Sequence, residues 1–256
     1  MPSATKTAVI DTYVRNDNIT YIISIINSGT VPFTGLTVTD NLGAYTWNDT
    51  TLVPLSYVDG SVRYYVNGTL QPAPTVTAGG TSLAISGINV PSAGNAIIVY
   101  EAQANQYAPL DVDGTITNIA SISGGGITNT VTADETVTTN DIPELTITKS
   151  VSPVPVSENG VLTYTFIIQN TGNTAADEAA NVVITDTFNP ILSNLSVTLD
   201  GVALPAGSYT YNEATGEFAT VAGSITVPAA TYTQDETAGY YVINPGVTTL
   251  VVSGTV

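Results

Sequence analysis

The sequence predicts an all-β protein made of two β-sandwich domains in tandem. Three observations predict it: a composition rich in Thr, Val and Ile, short alternating runs closed by turn residues, and an internal repeat along the 256 residues. Thr, Val and Ile are branched at Cβ and suit a pleated, half-buried surface. Many short strands with frequent turns specify a sandwich or a barrel.

Ile19-Thr20-Tyr21-Ile22-Ile23-Ser24-Ile25-Ile26 is a short apolar run, closed by Asn27-Ser28-Gly29. Leu36-Thr37-Val38-Thr39-Asp40 alternates with period two, as a half-buried strand does. Val66-Asn67-Gly68-Thr69 and Leu199-Asp200-Gly201-Val202 place Asn-Gly and Asp-Gly between strand-like runs, which predicts two tight hairpins. No capped segment keeps a helical period, so no substantial helix is expected.

The repeat divides the chain. Thr5-Lys6-Thr7 matches Thr148-Lys149-Ser150, and Tyr21 follows Lys6 at the interval at which Tyr164 follows Lys149. Asn27-Ser28-Gly29 then matches Asn170-Thr171-Gly172, and Val38-Thr39-Asp40 matches Ile184-Thr185-Asp186. Ile88-Asn89-Val90-Pro91 matches Ile225-Thr226-Val227-Pro228, and Ile97-Ile98-Val99-Tyr100 matches Thr249-Leu250-Val251-Val252. These matches predict domains at 1–142 and 143–256, with Pro143 at the boundary because it cannot donate to a central ladder. The first copy continues through Ile116-Thr117-Asn118-Ile119-Ala120 and Ile127-Thr128-Asn129-Thr130-Val131, whereas the second stops at Val256. The second domain is therefore expected to lack its last strand or two. Such an edge invites another strand.

Composition excludes much. With no Cys there are no disulfides, thiolate metal sites or cysteine nucleophiles. With no His a Ser-His-Asp triad is impossible. Neither metal nor cofactor is expected. The chain has 21 acidic residues against 4 basic ones (Lys6, Arg15, Arg63 and Lys149), a net charge of −17. That offers no electrostatic footprint for nucleic acid or anionic membrane. No apolar run reaches membrane-spanning length, so membrane insertion is not expected. The start, Met1-Pro2-Ser3-Ala4-Thr5-Lys6, has no signal-peptide apolar core.

Lys149-Ser150-Val151-Ser152-Pro153, Leu162-Thr163-Tyr164-Thr165, Asn170-Thr171-Gly172-Asn173-Thr174, Ile184-Thr185-Asp186-Thr187 and Ile116-Thr117-Asn118-Ile119-Ala120 together resemble the repeat pattern of the DUF11 family. Those are Ig-like modules of bacterial surface proteins, especially Gram-positive ones. The two-module arrangement is similar to small clostridial-type members, which begin with a further segment of Asn-Gln-Ala-Thr-Leu character. This chain starts at the first module's first strand, a departure that suggests a trimmed or processed form. The resemblance implies an Ig-like fold, an extracellular place on a bacterial cell or spore surface, and a structural role.

Ig-like surface modules of this kind crosslink a strand lysine to an Asn side chain, aided by a carboxylic acid. The only two lysines here stand at matched positions in the repeats. The reaction needs a neutral amine and a protonated acid, both favoured by burial in an apolar site. The acid hydrogen-bonds the carboxamide oxygen and shuttles protons as ammonia leaves. In the first domain the expected nucleophile is Lys6 and the expected acid Asp40, with Glu101 as a second candidate. The expected acceptor is Asn118, with Asn129 as runner-up. In the second domain Lys149 and Asp186 are present without an Asn-bearing strand, so the Asn is expected in trans, on a strand from another copy. A head-to-tail contact of this kind generates an open fibre. The rival readings are an adhesin or stalk spacer that presents a binding face, and a carboxylate-based glycosidase. The glycosidase lacks a recognisable acid pair. At most, the chemistry expected is a single autocatalytic turnover, not that of an enzyme.

Two further features are read as bland. Asp111-Val112-Asp113-Gly114 looks like a fragment of a calcium loop without the remaining ligands. Tyr64-Tyr65 and Tyr240-Tyr241 are read as packing or rim residues.

Overall fold

The computed structural model describes residues 2–256 and is all-β, as expected; its only helical turns are three residues long, at Glu178–Ala180 and Ala206–Ser208. Two compact units form. The first runs to Asn140 and takes in Gln234–Val242; the second comprises Asp141–Thr233 and Ile243–Val256. The boundary read from sequence put 234–242 in the second domain. The difference arises because this segment hydrogen-bonds within the first unit. There the Arg15 guanidinium donates to the Tyr241 carbonyl at 2.7 Å, and the Tyr241 N–H donates to the Gln106 carbonyl at 2.8 Å.

Seven strands carry the argument in the first unit: β1 (Ser3–Ala8), β2 (Asn18–Asn27), β3 (Phe33–Asp40), β4 (Ser82–Val90), β5 (Gly94–Ala104), β6 (Thr115–Gly124) and β7 (Val131–Thr139). One sheet is ordered β1-β2-β5, then Arg63–Val66 and Thr69–Leu70. The facing sheet is ordered Thr75–Gly79, β4, β3, β6, β7 and Thr12–Tyr13. Strand alternation fills the space between them. Ile19, Tyr21, Ile23 and Ile25 of β2 point inward, as do Leu36 and Val38 of β3 and Ile116, Ala120 and Ile122 of β6.

The second unit has β8 (Leu145–Ser152), β9 (Val161–Asn170), β10 (Thr185–Thr187), β11 (Ser193–Leu199), β12 (Glu217–Thr220) and β13 (Gly246–Thr255). Its larger sheet is ordered β8-β9-β13-β11-Val202–Ala203 and repeats the β1-β2-β5 order. The facing layer is smaller. It holds β10-β12-Tyr209–Asn212 and an isolated bridge between Ala176 and Val227. In the first unit β3 is paired on both edges, by β4 and by β6. In the second, β10 is paired only by β12. Among the described residues nothing corresponds to β6 and β7.

Both predicted hairpins form. Asn67-Gly68 and Asp200-Gly201 have positive φ at both central residues (46° and 79°, 47° and 80°), the conformation that matches strand twist. The matched Asn-x-Gly triplets do more than turn. The buried Asn170 side chain donates to the Thr174 and Pro228 carbonyls (2.7 and 3.0 Å) and accepts from the Glu144 and Gly172 N–H groups (both 2.9 Å). Asn27 repeats this with Val31, Pro91 and Gly29. Gly172 itself lacks a Cβ where the backbone of 142–144 passes. Replacing Asn170 by Ala leaves several buried backbone groups unpaired. Asn170→Ala should therefore lose about 2–4 kcal/mol of stability in urea unfolding, while exposed Asn212→Ala should change it by less than about 1 kcal/mol.

Candidate functional site

Three polar residues of the first unit occupy inward slots of otherwise apolar rows. Lys6 sits between Ala4 and Ala8 on β1, Asp40 follows Leu36 and Val38 on β3, and Asn118 lies between Ile116 and Ala120 on β6. Register brings them together. Asp40 is opposite Ala120, so Asn118, two residues along, shares its face. Lys6 comes from the other sheet, on a strand that β7 lies against. All three are buried, with relative exposures of 3%, 0% and 0%.

The Lys6 Nζ donates to Asp40 Oδ2 at 2.6 Å. The Tyr100 hydroxyl donates to the same oxygen at 2.6 Å, and Asn118 Nδ2 donates to the Tyr100 Oη at 3.0 Å. The Leu42 N–H donates to Asp40 Oδ1 at 2.9 Å, so both carboxylate oxygens are held. Tyr21 and Tyr100 stack at 5.5 Å, with Lys6 Nζ 4.9 and 5.9 Å from their ring centres. Aromatic faces attract the ammonium form. Burial outweighs the attraction of Asp40 and lowers the Lys6 pKa from 10.5 to about 8. Burial also drives the Tyr21 and Tyr100 phenols upward, with Asp40 adding to the effect at Tyr100.

One part of the expected chemistry differs. The acid was expected to hydrogen-bond the carboxamide oxygen directly. Instead Tyr100 stands between acid and carboxamide, and Asn118 Oδ1 is buried with no hydrogen-bond partner. The runners-up lie elsewhere. Glu101 follows the inward Tyr100 on β5, so alternation turns it to the opposite face. Asn129 is exposed in the connection between β6 and β7. Tyr100 was missed from sequence as a member of the cluster. Its signal was an inward position beside Tyr21, which faces it across the β2–β5 ladder.

In the second unit Lys149 pairs with Asp186, and Lys149 Nζ lies 4.7, 5.8 and 5.9 Å from the ring centres of Tyr164, Phe166 and Phe188. The pair is open. The Lys149 side chain is 40% exposed and that of Asp186 16%, against 0% for both Lys6 and Asp40. Leu145, Ile147 and Val151, on the same face of β8 as Lys149, are 38%, 52% and 40% exposed. The position facing Tyr164 across the ladder is Val252, where the first unit has Tyr100. Among the described residues no group of three or more His, Cys, Asp or Glu could hold a metal ion, and no helix is long and apolar enough to cross a membrane.

The sign of the pH response follows from the buried amine. Between about pH 8 and 10.5 the unfolded chain holds a proton on Lys6 that the folded chain has shed, so stability rises with pH. Tyr13, Tyr21, Tyr45, Tyr100 and Tyr241, all raised by burial, oppose this increasingly above about pH 9, as the unfolded chain begins to ionise them. In Asn118→Ala, where no amide to Lys6 can form, the urea midpoint of the first unit should rise from pH 8 to about pH 9. Adding Lys6→Met should flatten the profile. A fall across this window in Asn118→Ala would contradict a depressed amine.

Asp40→Ala strands a buried ammonium. In the Asn118→Ala background it should lose about 3–5 kcal/mol, and Lys6→Met should recover most of that loss, as read by denaturant unfolding.

No protein-family model matches the chain, and no curated protein matches it. Solved structures similar to it include the pilus backbone RrgB from Streptococcus pneumoniae (12% identity, 96% of this chain and 55% of that chain, TM-score 0.40). The major pilin subunit BcpA of Bacillus cereus is similar over 97% of this chain and 66% of that one, at 9% identity and TM-score 0.40. The collagen-binding subdomain ACE19 of an Enterococcus faecalis surface protein covers 54% of this chain with 97% of its own length, at 8% identity and TM-score 0.35. The chain thus spans about half the length of the first of these pilins.

Proposed function

We propose that the chain is a structural subunit of a bacterial surface or spore-associated fibre, stapled by Lys–Asn amide bonds and extended head to tail by strand donation. The observation that carries this is the contrast between the units. In the first, Lys6, Asp40 and Asn118 meet in a sealed core. In the second, the matched Lys149–Asp186 pair faces an edge with no β6 counterpart among the described residues.

In the first unit, Lys6 passes a proton to Asp40 along their hydrogen bond. This leaves a neutral amine and a neutral acid at no change in total charge. The amine attacks Asn118 Cγ, the new C–N bond forms, the carboxamide nitrogen leaves as ammonia carrying a proton delivered from the acid, and the new amide nitrogen returns its extra proton to the Asp40 carboxylate. No Cys, His or metal takes part. The bond ties β1 to β6 and closes most of the domain. By analogy with a disulfide across a loop of ~100 residues, such a tie is worth about 4–5 kcal/mol.

In the second unit, a strand from another copy pairs with the free edge of β10 and covers the apolar row of β8. Its own alternation must resemble that of β6, with apolar residues on either side of an inward Asn. That Asn bonds to Lys149 with Asp186 as the acid. The contact is heterologous, so it repeats without closing.

Intact-mass spectrometry should show the chain lighter than its sequence by one ammonia, with full mass restored in Lys6→Ala and in Asn118→Ala. A wild-type chain at full mass would remove the first bond. Supplying the chain with an added N-terminal β6-like strand should yield ladders that survive boiling in SDS, absent in Lys149→Ala. Ladders that persist in that variant would remove the second.

A further inference from the structure

Tyr100 hydrogen-bonds both the acid and the carboxamide. Its hydroxyl donates to Asp40 Oδ2 at 2.6 Å and accepts from Asn118 Nδ2 at 3.0 Å. The ring is wholly buried and stacked on Tyr21, so the hydroxyl is held in place by packing. Asn118 Oδ1 has no hydrogen-bond partner, so the contact of acid with carboxamide runs through the nitrogen, the atom that must depart. We infer that Tyr100 is a catalytic proton relay from Asp40 to the leaving nitrogen of Asn118. The inference rests on the amide-forming reading of the Lys6 cluster and specifies one step of it.

The step balances as follows. Lys6 first gives a proton to Asp40, which breaks one N–H bond and makes one O–H bond. The Lys6 amine adds to Asn118 Cγ, forming the C–N bond and placing the carbonyl electron pair on Oδ1. In the tetrahedral adduct Nδ2 regains its lone pair and the Tyr100 hydroxyl turns from Asp40 towards it, reversing both hydrogen bonds of the resting site. Asp40 then donates its proton to the Tyr100 oxygen while Tyr100 passes its own proton to Nδ2. The pair on Oδ1 re-forms the C=O bond, the Cγ–Nδ2 bond breaks, and ammonia departs. The added nitrogen sheds its extra proton to Asp40. Tyr100 ends as it began, and no oxidant or external reactant is consumed.

The relay also separates the two units. The residue of β13 that faces Tyr164 is Val252, which has no hydroxyl. Any proton path in the second unit must come from the incoming strand or directly from Asp186.

The test follows amide formation after a pulse of expression, by intact mass against time. Tyr100→Phe keeps the ring and removes only the hydroxyl. Tyr64→Phe removes a hydroxyl bonded to the Asn89 main chain, away from the cluster. Tyr100→Phe should lose ammonia at least about 100-fold more slowly than wild type, as loss of a general acid-base group does. Tyr64→Phe should keep the wild-type rate. Near-ultraviolet circular dichroism of Tyr100→Phe should confirm that it folds. If Tyr100→Phe fails to fold, wild type should still show a solvent deuterium isotope effect on ammonia loss, and its absence would overturn the relay. Loss of ammonia from Tyr100→Phe at the wild-type rate would overturn the relay and leave the amide reading intact. A wild-type chain that never loses ammonia would overturn both.

Discussion

The first unit depends on one buried ion pair. Lys6 and Asp40 lie 2.6 Å apart with no side-chain exposure, between two sheets whose other inward residues are almost all apolar. Moving two charges out of water costs several kcal/mol each, and only close pairing and further hydrogen bonds offset it. Here Tyr100 and the Leu42 N–H supply those bonds, and the Tyr21 and Tyr100 rings close over the amine. An apolar pair would pack the same space at less cost. On the proposed amide chemistry the retained lysine is a reactant, its pKa lowered by burial to about 8. A domain stapled by an amide, as proposed, needs neither disulfide nor metal.

The second unit starts from the same strand pattern and ends differently because, among the described residues, its smaller layer has no counterpart of β6 and β7. β8 carries Leu145, Ile147, Lys149 and Val151 on one face, as β1 carries Ala4, Lys6 and Ala8, yet every residue of β8 is exposed. The unit still holds a core, built on Phe188 with the rings of Tyr164 and Phe218 in contact with it. What it lacks is the cover that buries the Lys6–Asp40 pair in the first unit. Strand addition would supply the cover and the acceptor together, so the chemistry would begin only once the partner is seated. Assembly and covalent locking would then be one event.

Much of this was legible in the sequence, for identifiable reasons. Period-two alternation shows Asn118 and Asp40 as polar residues in apolar rows, and the repeat aligns Lys6 with Lys149 and Asp40 with Asp186. The Asn-Gly and Asp-Gly turns name their own geometry. Other features depend on three-dimensional register, which a single strand does not reveal. Tyr100 reads as a core aromatic until β5 is laid beside β2. Glu101 looks as available as Asp40 until alternation sends it to the far face. Asn27 and Asn170 look like turn residues, although their side chains pin carbonyls from distant loops. The placement of 234–242 with the first unit follows from main-chain hydrogen bonds that no local pattern encodes.

The account stands on whether Lys6 and Asn118 are joined. Peptide mapping of the purified chain by tandem mass spectrometry reads this directly. The account predicts a branched peptide in which the segment carrying Lys6 is bonded through its side chain to the segment carrying Asn118. Two linear peptides, each with its side chain unmodified, would contradict it.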